Sequence, residues 1–255
     1  MQGTDLLLIA FMIFAAAVLY SSVGHGGASG YLAVMALFSF APATMRPTAL
    51  ILNICVSSIA ALKFARKGYF SWRKFYPFAI ASVPFAFIGG SLSLPPFFFK
   101  VIVGIVLIIA AILLAGRGRA DRAPEAQSEI ETISLPFAFL CGTGLGFLSG
   151  ITGVGGGIFL SPLLLFLKWT DVRQTAAVSA VFILVNSIAG LTANLSHTLF
   201  TSLPTTPVLC TLAVAAVVGG VIGANLGSNR SRSPLALRRL LALVLAIAGV
   251  KMMLG

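Results

Sequence analysis

Apolar runs cover residues 5–21, 29–41, 48–64, 75–92, 97–115, 134–149, 158–168, 174–194, 205–227 and 236–254, and short turns or breaks separate them. Most are close to the ~20 residues that cross a bilayer as a helix. The runs 29–41 and 158–168 are too short for an untilted span. Each is expected to pair with the run before it, as two thin spans or as a re-entrant hairpin. Ala41–Pro47 and Lys168–Arg173 read as turns, and Ser93-Leu94-Pro95-Pro96 ends a helix. Residues 116–133 carry Arg117, Arg119, Asp121, Arg122, Glu125, Glu129 and Glu131, the only sustained polar stretch. It reads as a cytoplasmic linker between a first membrane repeat, 1–115, and a second, 134–255.

The breaks inside the short pairs carry the candidate chemistry. Ser21-Ser22-Val23-Gly24-His25-Gly26-Gly27 interrupts one pair, and Ser149-Gly150-Ile151-Thr152-Gly153-Val154-Gly155-Gly156-Gly157 interrupts the other about 129 positions later. Gly24, Gly26 and Gly27 thus correspond to Gly153, Gly155 and Gly156. Further matches follow in order. Arg46, Thr48 and Ala49 match Arg173, Thr175 and Ala176, and Ser58-Ile59-Ala60 matches Ser187-Ile188-Ala189. The fold class expected is an all-α integral membrane protein of two repeats, each a glycine-broken pair plus three spanning helices, eight to ten membrane segments in all.

Composition fixes the solvent. At 58% hydrophobic and 9% charged residues, the chain has too few polar side chains to cover a water-soluble globule. The net charge of +11 would suggest nucleic acid in a soluble protein, but the basic residues lie in short connections between apolar runs. Nucleic acid is therefore not an expected partner; the lipid bilayer is. The connection 63–74 holds Lys63, Arg66, Lys67, Arg73 and Lys74, whereas its counterpart 195–206 has no Lys or Arg. The second-half counterpart of 93–100 is 227–239, with Arg230, Arg232, Arg238 and Arg239. The basic bias has changed places, as the positive-inside rule requires if the halves lie inverted. This tracing puts all Lys and Arg except Arg46, Lys100 and Lys251 inside and both termini outside. Asp5, with no basic residue before the first apolar run, argues against a cleaved signal peptide. Cys55, Cys141 and Cys210 are isolated and read as packing residues.

Inverted repeats with interrupted helices are a transporter pattern. A glycine break in hydrocarbon exposes peptide groups that must find partners, and successive glycine N–H groups at a helix start favour an anion. Close helix packing is the plainer reading of the same glycines. Ser21, Ser22, Thr48, Asn53, Ser57 and Ser58 in the first half, and Thr152, Thr175, Ser179, Asn186 and Ser187 in the second, supply donors within apolar segments. Together with Gly24, His25, Gly26, Gly27, Gly153, Gly155, Gly156 and Gly157 they form the candidate substrate site. Internal helix bonds are the plainer reading of each hydroxyl. Arg46 and Arg173 begin matching helices and are candidates for attracting or gating an anion, or for interfacial snorkelling. His25 is the only ionisable side chain in either break, a candidate proton carrier or pH-dependent donor. Beyond Asp5 at the very edge of the first run, no Asp or Glu lies within an expected span. Catalysis is not expected, since His25 and His197 lie in unlike surroundings, and no metal or cofactor is expected.

The two copies of Gly-x-Gly-Gly followed by apolar segments, with Ser161-Pro162-Leu163 after the second and Asn186-Ser187-Ile188-Ala189-Gly190-Leu191 later, resemble the TauE/SafE sulfite exporter family over nearly the whole chain. The resemblance implies movement of sulfite, sulfoacetate or a related organosulfonate across the bacterial cytoplasmic membrane, with export favoured. The first copy departs from the pattern at His25 and Ala28-Ser29-Gly30, so the substrate within the family stays open. A passive anion channel, or an uptake permease for another small anion, is the alternative. A coupled proton is a candidate partner, and a homodimer is among the allowed assemblies.

Overall fold

The computed structural model describes residues 3–120, 134–167, 169–197, 203–228 and 235–254. Ten helices account for nearly all of them: α1 Gly3–Ser21, α2 Ala28–Leu37, α3 Pro42–Arg66, α4 Trp72–Ser91, α5 Pro96–Ala120, α6 Leu135–Thr152, α7 Gly157–Phe166, α8 Val172–His197, α9 Thr206–Ser228 and α10 Leu235–Leu254. Six of these are long and apolar enough to cross a membrane: α1, α3, α5, α6, α8 and α9. Large apolar side chains such as Leu7, Phe11, Phe97, Ile112, Leu140 and Val214 are exposed on them. In water that surface would be a liability; in lipid it is the contact layer. The expected linker 116–133 begins as the end of α5, and 121–133 lie outside the described residues, as do 229–234 with Arg230 and Arg232.

The two short helices turn back on the long ones that precede them. A Cβ on Gly30 of α2 would meet the Ala16 side chain of α1, and one on Gly156 would approach the Leu145 carbonyl of α6. Neither approach is possible if the chain runs straight on. The pairs α1–α2 and α6–α7 are therefore hairpins, with short arms of 10 residues that reach about 15 Å, half the hydrocarbon thickness.

α3 and α8 pack against each other at the centre. The hairpin helix α1 lies on α9, α6 lies on α4, and α5 pairs with α10. Small residues permit the close pairs. Gly142, Gly146 and Gly150 of α6 sit against the backbone of Phe78, Ser82 and Ala86 in α4, while Gly219, Gly223 and Gly227 of α9 sit against Phe14, Val18 and Ser22. This is the small-xxx-small spacing that lets membrane helices approach through backbone contact.

Segments expected on one side of the membrane come together. Lys67 donates to the Ser228 carbonyl, Lys74 to the Trp169 carbonyl, and Arg173 to the Tyr69 hydroxyl. At the opposite end Lys251 donates to the Leu37 carbonyl and Arg46 to that of Leu92.

Several boundaries differ from the sequence reading by four to six residues: α2 ends at Leu37 instead of 41, and α5 runs on to Ala120 instead of 115. α3 begins at Pro42 instead of Thr48, because Pro at the first helical position gives up no hydrogen bond and presets φ. Pro47 is then carried inside the helix, and Arg46 lies within its first turns. α8 starts at Val172 because Asp171 caps it, its Oδ1 accepting from the Arg173 and Gln174 amides at 2.8 Å each.

Candidate functional site

Both breaks depend on backbone that favours glycine. Gly24 and Gly27 in the first, and Gly153, Gly155 and Gly156 in the second, have φ between 73 and 100°. Gly27 and Gly156 are the residues from which α2 and α7 start. A small cavity lies between these two starts, lined by His25, Gly26, Gly27, Ala28 and Ser29 on one side and Val154 and Ile158 on the other, with Tyr20 and Ile183 completing it. It therefore lies by the positive ends of two helix dipoles, where first-turn amides have no acceptor in their own helix.

Asn53, in the middle of α3, joins the breaks. Its Oδ1 accepts from the Ala28 amide at 3.1 Å, and its Nδ2 donates to the Val154 carbonyl at 3.2 Å and the Ser187 hydroxyl at 3.3 Å. The side chain is fully buried. One amide thus satisfies an orphan donor at the start of α2 and an orphan acceptor in the second break, which a hydrocarbon surrounding would otherwise leave unpaired.

His25 is buried and held at both ring nitrogens. Nδ1 lies 2.9 Å from the Val23 carbonyl and Nε2 lies 3.0 Å from Ser161 Oγ, which is itself 2.8 Å from Ser179 Oγ. Tyr20 closes the other flank, accepting from Ser29 Oγ at 2.7 Å, and Tyr31 donates to the Gly26 carbonyl at 2.6 Å.

Of the residues singled out in the sequence, His25, Gly26 and Gly27 line the cavity directly. Asn53 bonds to its walls, Ser179 reaches them only through Ser161 and His25, and Gly155 and Gly157 pack on Ile183 in them. The other glycines serve close packing: Gly24 on the backbone of Ala176, Gly153 on Arg46, and Gly156 on Phe182. Ser21 reaches away to the Gly220 carbonyl of α9. Ser22, Thr48, Ser57, Ser58, Thr152 and Thr175 donate to carbonyls of their own segments, as the plainer reading of a helical hydroxyl requires. Asn186 donates to Ser82 Oγ and the Phe182 carbonyl between α4 and α8.

The arginines part company. Arg46 is buried and its guanidinium donates to the carbonyls of Gly89, Gly90 and Leu92 at the end of α4. Arg173 stays half-buried, stacked over the Tyr69 ring with its carbon 5.3 Å from the centroid. His197's side chain lies outside the described residues.

Tyr20, Ser29, Tyr31 and Ser161 join the site without having been expected there. Ser161 had a signal: it stands four residues after Gly157, so its side chain leans back over the start of α7. Tyr20 and Tyr31 are aromatic residues with a polar tip inside apolar runs, which usually means a buried partner.

Asp5 and Asp171, the only carboxylate side chains among the described residues, are not buried. The cavity wall is thus polar without being acidic, and the cavity admits about one water molecule. A larger solute enters only if the walls part.

The family described as Sulfite exporter TauE/SafE matches residues 9–252. A protein of Sinorhizobium fredii named "Probable membrane transporter protein y4hK" is 40% identical over 252 residues, 99% of this chain and 100% of that one. A Methanocaldococcus jannaschii protein, also described as a probable membrane transporter protein, is 30% identical over 81% of this chain and 78% of its own length. The MamO protein of Magnetospirillum gryphiswaldense, with the same description, is 25% identical over 89% of this chain and 41% of its own. No solved structure matches.

Proposed function

The chain belongs to the sulfite exporter TauE/SafE family and is a multi-pass membrane transporter; from that premise we propose that it moves a small sulfur-containing anion, sulfite, sulfoacetate or a related organosulfonate, through the cavity between its two glycine breaks. The observation that carries this reading is the convergence of two helix N-termini on one buried cavity whose lining holds an imidazole and no carboxylate. Dipole ends and first-turn amides favour negative charge, and the absence of an acid from that wall leaves nothing to repel it.

In this reading the halves are inverted repeats. The helix pairing supports it: exchanging first-half helices for their second-half counterparts turns α1 on α9 into α6 on α4, and leaves α3 on α8 and α5 on α10 unchanged. Two similar halves that exchange conformations open one central site to alternate sides. The narrow cavity suits a site caught between openings better than the continuous path a channel needs. The chain resides in the bacterial cytoplasmic membrane with both termini outside, so that the lysine-rich end is cytoplasmic. Export follows the family description, and a proton is the candidate coupled ion.

A thermal-shift screen of the purified protein tests the substrate class. Sulfite, sulfoacetate or isethionate should raise the unfolding temperature in a concentration-dependent way, while sodium chloride at matched ionic strength should not. A panel of sulfur anions giving no shift beyond chloride would sink the proposal.

A further inference from the structure

Resting on the anion-transport reading above, we propose that Ser161 and Ser179 form a reversible hydroxyl pair that lets His25 gain and lose a proton on Nε2 alone, and that the protonated imidazole is the form that admits the anion.

The two ring nitrogens have unlike partners. The Val23 carbonyl can only accept, so Nδ1 carries its hydrogen in both charge states and donates it at 2.9 Å. In the neutral ring Nε2 is then an acceptor. Ser161 O–H donates to it at 3.0 Å, and Ser161 Oγ accepts from Ser179 O–H at 2.8 Å. When Nε2 takes a proton, the chain reverses without moving a heavy atom. Nε2–H donates to Ser161, Ser161 donates to Ser179, and the Ser179 proton turns to the Thr175 carbonyl four residues back on its own helix. A fixed donor at this position, such as a backbone amide, would hold the ring neutral. A carboxylate would hold it charged. Two hydroxyls on α7 and α8 satisfy both forms, which is what a group needs if it is to cycle.

The surroundings supply the coupling. The elements packed around His25 present the phenols of Tyr20 from α1 and Tyr31 from α2 and the amide of Asn53 from α3, with Cys55 of α3 near Tyr31. Arg46, on α3, and Arg173, on α8, turn to the end of α4 and to Tyr69, and Asp171 caps α8. A cation at Nε2 beside two helix N-termini is costly by itself, and an anion in the cavity relieves that cost. Proton and anion binding therefore strengthen each other, and by linkage each does so by the same factor. His25 has Val154 as its counterpart in the other break, so one proton, not two, accompanies each anion.

The probe is isethionate, a sulfonate whose charge stays at one across the range in which imidazole titrates. Its affinity for the purified wild type, measured by calorimetry from about pH 5.5 to about pH 8, should fall about tenfold or more as pH rises. Binding in weakly buffered solution near the midpoint should take up close to one proton. Ser161→Ala removes an acceptor that serves the charged ring more strongly than the neutral one, so the midpoint should drop by about one pH unit. Ser161→Thr restores the hydroxyl and the wild-type midpoint. His25→Gln should bind weakly and without pH dependence.

Isethionate bound with equal affinity across the range and no proton uptake by the wild type overturns the proposal and leaves anion transport standing. A shared midpoint for wild type and Ser161→Ala overturns the role of the hydroxyl pair. Failure of isethionate, sulfite and sulfoacetate to bind at any pH overturns the anion reading and this inference with it. The wild-type titration needs no variant, so a misfolded mutant leaves the test intact.

Discussion

At the scale of the residue, the site depends on groups that hydrocarbon would punish if they stood alone. Asn53 is the sharpest case, since its amide serves both breaks at once. Asn53→Leu keeps the volume and strips the Ala28 amide and the Val154 carbonyl of their partner, at about 1–3 kcal/mol each. The expected result is a lower unfolding temperature together with transport reduced at least about tenfold; an unaltered melting curve would show that the amide is dispensable. Gly156 has φ +73 and already packs on Phe182, whereas Gly68 has φ +76 with nothing within 4 Å. A leucine at either pays the left-handed penalty of about 1–2 kcal/mol. Only Gly156→Leu should abolish transport while the protein still inserts, with Gly68→Leu as the matched control. Equal flux from the two variants would remove the second break from the mechanism.

At the scale of the element, helix ends explain why the arginines differ. The last carbonyls of α4 have no helical partner, and Arg46 supplies one to Gly89, Gly90 and Leu92 from inside the first turns of α3. Arg46→Gln should lower stability clearly, because two buried carbonyls, of Gly89 and Gly90, and a part-buried one, of Leu92, lose a charged donor. Arg173→Gln should leave the melting temperature nearly unchanged, since its guanidinium meets a half-buried tyrosine. Melting curves of the two variants that coincide would contradict this division.

These ends also mark what could be read before any coordinates. The apolar runs match the ten helices within a few residues, because a bilayer imposes length and hydrophobicity that the sequence states openly. The start of α3 was hidden, since Pro42 and Pro47 read as a turn in a string of letters, and the bonds from Arg46 to the end of α4 show only in three dimensions. Reversal at each glycine break was legible, because the second run is too short for an untilted span; the choice between two thin spans and a re-entrant hairpin was not. Within the site, residue types were legible but partners were not. Serines and threonines that look alike in sequence include Ser161, which meets His25, Ser179, which bonds to Ser161, and the many that bond within their own helix.

At the scale of the whole molecule, the claim is that two hairpins present their short helices to a common cavity and that rearranging the halves around it carries an anion across. In the proposed orientation the end that carries the lysines, with Lys67 on Ser228 and Lys74 on Trp169, faces the cytoplasm under the positive-inside rule. A cysteine at Gly68 should accordingly react with an impermeant maleimide only in inverted vesicles, and one at Ser93 only in intact cells. The reverse pattern would turn the molecule over. Alternation itself is read most directly by counterflow in liposomes reconstituted with the purified protein, loaded with unlabelled sulfite and diluted into a trace of radioactive sulfite. The account predicts transient accumulation of label that saturates with sulfite, competes with sulfoacetate or isethionate, and vanishes in Gly156→Leu. Label that only equilibrates, at a rate linear in concentration and untouched by that substitution, would contradict it.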